Sequence, residues 1–169
     1  MYILGDIGNS ETKVYLVNSK NRIIRYVNFP SKVINNKILN QKFRYLIKDF
    51  KSIRKVLFCS VVPKSFSLIK KFLSKKLKKK CFEVKDLSLN SLINIKVNFK
   101  QVGSDRLTNA ISLLNNKDNF IILDFGTATT FDVVTQKAYI GGIIAPGIKI
   151  SLNTLSDKAT LIPKINLKQ

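Results

Sequence analysis

One phrase occurs twice in this chain. Residues 2–17 read YILGDIGNSETKVYLV, and residues 120–134 read FIILDFGTATTFDVV. Each runs apolar residues into Asp-x-Gly, then a cluster of Ser, Thr and Asn, then apolar residues again. Two apolar runs joined by a short polar segment containing glycine are a hairpin signal, so each copy predicts two strands and a turn. The restart of the pattern places a boundary near Lys117, with a first domain at 1–117 and a second at 118–169. No glycine- or serine-rich linker marks that boundary; the repeat alone does.

The segments between the copies alternate strand and helix. Residues 21–29 (NRIIRYVNF) read as a third strand. Ile38, Leu39, Phe43, Leu46 and Ile47 recur at helical spacing within 36–50. KVLFCSVV (55–62) is a β-rich apolar run ended by Pro63, and in it Cys59 reads as a small core residue. Residues 64–80 place Phe66, Ile69, Phe72, Leu73 and Leu77 on one helical stripe with lysines around the rest. CFEVKDL (81–87) predicts a short strand, and 88–102 reads as irregular. In 103–116 the apolar positions Leu107, Ala110, Ile111 and Leu114 predict a helix, capped by Ser104 and with Asp105 in its first turn. Strands at 120–125, 129–135 and 138–144, a turn at Ala145-Pro146-Gly147 and a helix at 148–158 complete the pattern. The fold class is therefore α/β.

Composition excludes several chemistries. There is no histidine, and the two cysteines are isolated, so Cys/His zinc sites, Ser-His-Asp triads and histidine general bases are out. The net charge of +20 is mostly lysine and is spread along the chain. Aromatics are not interleaved with it as a nucleic-acid stacking platform needs. The lysine-flanked stripe at 64–80 fits a core-packed helix with a solvated face better than a membrane-surface helix. The expectation is no specific nucleic acid and no membrane partner. No segment has the long uncharged run of a transmembrane helix, and Asp6 follows too soon for a signal peptide. Those features predict a cytoplasmic protein.

The repeated phrase has a chemical use. Glycine lets a backbone approach a ligand closely, turn N–H groups and hydroxyls can hold phosphate oxygens, and the aspartate can hold a hard cation bridging them. One copy alone is ordinary turn chemistry; two copies in matching contexts favour a phosphate site. Only ten acids occur. Among them Asp6, Asp105 and Asp124 sit at element boundaries among Gly, Ser and Thr rather than among lysines. A two-metal nuclease needs more clustered acids than this.

DIGNSETK (6–13), GSDR (103–106), DFGTATT (124–130) and GGIIAPG (141–147) occur in the order found in the type III pantothenate kinases. SVVP (60–63) and ATLIPKI (159–165) also resemble that family. The resemblance implies a duplicated ribonuclease H-like fold of the actin-like ATPases, each copy of the phrase opening one domain. It implies ATP-dependent phosphorylation of pantothenate, the first step towards coenzyme A. Asp6, Ile7, Gly8, Asn9, Ser10, Glu11, Thr12 and Lys13 match the phosphate-binding loop, with Mg²⁺ near Asp6. Thr127 matches a nucleotide contact. Asp105 matches the proton acceptor, and Gly103, Ser104, Asp105 and Arg106 the pantothenate contacts. Asp124 matches the ligand of a K⁺ or NH₄⁺ ion. Family members are homodimers. They typically continue beyond the segment like ATLIPKI, so the second domain is expected to be incomplete. KVNF (96–99) stands where the family often has Tyr-x-Asn-Pro. A shortened, non-catalytic nucleotide-binding relative is the alternative expectation.

Overall fold

The computed structural model describes residues 1–114, 118–159 and 162–163. The boundary expected near Lys117 lies outside them, as does most of ATLIPKI; the helix expected over 103–116 ends at Ser112. By contacts the chain forms two units. The first is Met1–Leu89 with Gly103–Thr108, and the second is Asn90–Val102 with the described residues from Asn109 onward.

In the first unit, β1 (Tyr2–Ile7), β2 (Glu11–Val17) and β3 (Ile23–Pro30) form an antiparallel meander. Then β4 (Lys55–Ser60) and β5 (Cys81–Glu83) add parallel to β1, in the sheet order β3-β2-β1-β4-β5. Parallel neighbours require crossovers, and these are helical: α1 (Asn36–Leu46) leads into β4, and α2 (Pro63–Leu77) joins β4 to β5. Helix α1 stops at Leu46, short of the expected residue 50, and a single 3₁₀ turn follows at Phe50–Ser52. The strand expected over 55–62 ends at Ser60, and Pro63 instead opens α2, because its missing N–H has no partner to lose in a first turn. Lys78 ends α2 in the left-handed conformation (φ 52°).

Strand alternation decides the core. Ile3, Ile7, Val14, Leu16, Val56 and Phe58 turn to one face and are buried with Leu39, Phe43 and Leu46 of α1 and Ile69, Leu73 and Leu77 of α2. Phe43 packs against Phe72 with ring centroids 5.6 Å apart, and Phe58 against Phe66 at 6.0 Å. Gly5 is needed beneath this layer, since a Cβ there would overlap the Phe58 ring. Asp6, one residue out of phase with Ile3, Gly5 and Ile7, is thereby turned to the opposite face.

The second unit repeats the start. β7 (Phe120–Phe125), β8 (Ala128–Thr135) and β9 (Ala138–Pro146) form a second antiparallel meander, and α4 (Ile148–Lys158) follows. Asp6 and Asp124 each occupy the fifth position of a six-residue strand, which is the structural form of the repeated phrase. Two details differ from expectation. Ala145 and Pro146 extend β9, so the turn into α4 rests on Gly147. The segment read as irregular contains β6 (Asn94–Ile95), which pairs parallel to β9 and completes the order β6-β9-β8-β7. Inside this unit the buried Tyr139 hydroxyl donates to the buried Asp132 Oδ1 at 2.5 Å. One face of the sheet is apolar and open: Ile121, Leu123 and Phe125 of β7 are exposed with Val133 and Ile143 beside them.

Candidate active site

Residues 6–13, expected to be a phosphate loop, form the β1–β2 hairpin. Asp6 lies opposite Lys13 on β2 and opposite Cys59 on β4. The Cys59 thiol donates to Asp6 Oδ1 at 3.4 Å. Burial pushes that thiol's pKa up, and the charges of Asp6, Asp105 and Glu83 push it further, so Cys59 is a neutral donor. The sequence reading of Cys59 as a core residue is corrected here. Its out-of-phase neighbours Val56 and Phe58 take the core face, so Cys59 shares a face with Asp6. That parity was available in the sequence.

The rest of the hairpin divides into exposed tip and buried base. Asn9 and Ser10 are exposed. Gly8 N–H donates to Glu11 O at 3.0 Å. Glu11 accepts from Asn28 Nδ2 at 2.7 Å and lies 3.7 Å from Lys13 Nζ. Ile7 is fully buried, with its carbonyl accepting from Val61 N–H at 3.0 Å. Thr12 is also fully buried, its hydroxyl 2.8 Å from Ser31 Oγ. Ser31 in turn donates to Gly8 O at 2.6 Å, and its N–H donates to Ser10 O at 3.0 Å. Ile7 and Thr12 therefore support the loop from beneath, and Ser31 is a residue the sequence reading missed.

The GSDR segment is anchored to the end of β4. Helix α3 (Ser104–Ser112) starts at Ser104, but that hydroxyl does not act as the expected cap. It accepts from Ser60 N–H at 2.7 Å and donates to Ser60 O at 3.0 Å, and the residue is 1% exposed. The double bond to one residue fixes where α3 begins. Glu83 Oε1 also accepts from Ser60 N–H, at 3.3 Å. Asp105 follows in the first turn, half-buried, with Oδ1 accepting from Arg106 N–H at 2.8 Å. Arg106 itself is buried. A Cβ at Gly103 would overlap Asp105 Oδ1, so glycine is what leaves room for this carboxylate. Asp6 and Asp105 thus stand in one unit, both close enough to Cys59 to act on its thiol.

Asp124 and Thr127 belong to the second unit. Asp124 is exposed at the end of β7, where its Oδ2 accepts from Asn109 Nδ2 at 3.2 Å. Thr127 is exposed in the β7–β8 turn, and its carbonyl accepts from Gly147 N–H at 3.1 Å. A Cβ at Gly147 would overlap the backbone of Gly126 and Thr127, so the start of α4 presses directly on this turn. Among the described residues no three His, Cys, Asp or Glu side chains group as a metal cage.

A three-stranded meander extended by parallel strands, with a carboxylate at the end of β1 and a second meander carrying its counterpart, defines an actin-like ATPase fold of the ribonuclease H-like type. A conserved Baf-family protein from Campylobacter jejuni superposes with a TM-score of 0.54 at 19% identity, over 99% of this chain and 68% of that one. The family model for type III pantothenate kinase matches residues 2–169. The type III pantothenate kinase of Pelagibacter ubique is 63% identical over the whole of this chain, which covers 68% of that protein. That of Desulforapulum autotrophicum is 32% identical over 99% of this chain and 66% of its own length. The chain belongs to the type III pantothenate kinase family, and it spans about two thirds of the length of these relatives.

Proposed function

We propose that this chain transfers the γ-phosphoryl group of ATP to the hydroxyl of pantothenate, with Asp105 as proton acceptor and the 6–13 hairpin as phosphate loop. The observation that carries the assignment is the placement of Asp105. The Ser104–Ser60 bonds hold the start of α3, Arg106 N–H donates to the Asp105 carboxylate, and Asp105 lies in the same unit as Asp6 and the exposed tip Asn9-Ser10. As the hydroxyl oxygen bonds to phosphorus and the bond from phosphorus to the ADP oxygen breaks, the hydroxyl proton passes to Asp105. Such transfers rely mainly on positioning and charge stabilisation. On the resemblance, Gly103 and Arg106 would contact pantothenate beside the acceptor, while Ser104 holds the helix start.

Mg²⁺ is commonly held by one or two carboxylates together with substrate phosphates and water. Asp6 is the residue that would hold it, and the ion would neutralise charge on the phosphates. Asp124, steadied by Asn109, would hold K⁺ or NH₄⁺, and Thr127 would contact the nucleotide. The division into domains at 1–117 and 118–169 belongs to the same reading. So does a homodimer, on the resemblance. A cytoplasmic location belongs to the same reading, and no described helix is long and apolar enough to cross a membrane. The non-catalytic alternative is less favoured, because the acids of all three motifs are present.

Asp105→Asn keeps the shape and removes the proton acceptor. Pantothenate phosphorylation should fall by about a hundredfold or more, with ATP affinity within about twofold. Undiminished turnover in this variant would reject Asp105 as the acceptor.

A further inference from the structure

We infer that Ser31 is a positioning residue for the phosphate loop, turning the Asn9 N–H towards the face that carries Asp6. The inference rests on the phosphate-loop reading above and concerns a residue outside every motif.

Ser31 follows β3, the strand paired with β2, and reaches across to the hairpin turn. It makes three bonds there: Oγ to Gly8 O at 2.6 Å, N–H to Ser10 O at 3.0 Å, and Oγ with Thr12 Oγ1 at 2.8 Å. The proton directions follow from the donor inventory. A serine hydroxyl carries one proton, and Ser31 gives it to Gly8 O, so Thr12 must be the donor in the third bond. The relay therefore runs Thr12 to Ser31 to Gly8. Both hydroxyls are buried, Thr12 at 0% and Ser31 at 5% exposure, so water does not readily replace either one.

The relay lies on the core side of the sheet. Thr12 pairs with Ile7, and both are in phase with Ile3, Val14 and Leu16, which point into the core. Gly8 O is drawn towards that side. All described peptide bonds are trans, and in a planar trans peptide the carbonyl and the N–H point in opposite directions. The Gly8–Asn9 peptide then aims its N–H away from the core side, towards the face shared by Asp6, Lys13 and Cys59. Meanwhile the bond to Ser10 O holds the other end of the exposed tip. A preset N–H donor on the face that carries the Asp6 carboxylate would serve a phosphate oxygen bound there, and presetting lowers the cost of ordering the loop on binding. Ser31 touches no substrate in this account; it acts through the orientation of one peptide plane.

The test uses the full chain, with ATP·Mg²⁺ titrated by calorimetry and the Asn9 amide followed by ¹⁵N-labelled NMR. In wild type the Asn9 resonance should shift on binding. Ser31→Ala should weaken ATP affinity by about five- to tenfold, the usual worth of one such bond plus an orphaned carbonyl, and should reduce the Asn9 shift. The KM for pantothenate should stay within about twofold. Thr12→Val, which removes the donor of the relay, should weaken ATP affinity and reduce the Asn9 shift as Ser31→Ala does. The double variant Thr12→Val/Ser31→Ala should be no weaker than either single variant, because the relay acts as a unit. Melting curves for each variant separate loop misplacement from loss of fold. A folded Ser31→Ala chain with wild-type affinity and an unchanged Asn9 shift would overturn the inference while leaving the phosphate loop standing. No ATP binding by the wild-type chain would overturn both.

Discussion

Gly103→Ala offers a test of how tightly the acceptor carboxylate is placed. The backbone at Gly103 is not in the left-handed region; Gly141 alone among the described glycines has a positive φ. Alanine therefore fits the local conformation. What it does not fit is the space, because its Cβ would overlap Asp105 Oδ1 and would touch Val61 Cγ1 at 3.4 Å, an ordinary contact. The overlap is with the tip of a rotatable side chain rather than with backbone, so the fold should yield cheaply, by less than about 1 kcal/mol. Restoring an ordinary separation moves Oδ1 by about 1 Å, and a displacement of that size can cost roughly a hundredfold in rate. The same swing breaks the 2.8 Å bond from Arg106 N–H that now orients the carboxylate. Steady-state kinetics should show kcat down by about two orders of magnitude, with the melting temperature within about 3 °C of wild type. If kcat stays within about threefold of wild type, Asp105 does not need this position, and its assignment as proton acceptor loses its geometric basis.

Two further outcomes probe other parts of the molecule. If Asp124 holds a monovalent cation, activity should require K⁺ or NH₄⁺ and fail in Na⁺ alone, and Asp124→Asn should need at least about tenfold more K⁺ for half-maximal rate; equal rates in Na⁺ and K⁺ would refute this. Cys81 tests stability against pH. Burial, with a smaller contribution from Asp86 and against the opposing charge of Lys70, pushes its thiol up to about 12 from 9.0. The folded state then keeps a proton that the unfolded state releases, so stability is whole below pH 9 and falls as pH rises towards 12. The slope from this one group is about 1.4 kcal/mol per pH unit. Denaturant unfolding of wild type and Cys81→Ala from pH 8 to 11 should converge as pH rises; parallel curves would show that the thiol ionises alike in both states.

Much of the fold was legible because local periodicity is strong. The alternation of Ile3, Ile7, Val14 and Leu16 and the 3.6-residue spacing of Leu39, Phe43 and Leu46 give the hairpin and α1 directly. Helix α4 falls at the residues its pattern indicated. β6 was missed because two residues carry no periodicity; its strand state comes from pairing with β9, more than forty positions later. The end of α1 was overrun for a similar reason: Ile47 is buried and keeps the apolar spacing, yet it takes an extended conformation at the cap.

The sequence by itself determined which chemistry is available here. The lack of histidine, the few acids at turn boundaries and the ordered motifs favour phosphoryl transfer and single out Asp6, Asp105 and Asp124 as the candidate carboxylates. Only the tertiary structure decided what each neighbouring group does. Ser104 holds α3 to Ser60 across forty-four residues instead of capping its own helix. Thr12 turns inward to Ser31, and Cys59 leaves the core to face Asp6. A hydroxyl or thiol has the same composition whether it binds substrate or braces backbone. Its role is set by which side of a strand it falls on and by which distant residue the sheet register brings within hydrogen-bond reach.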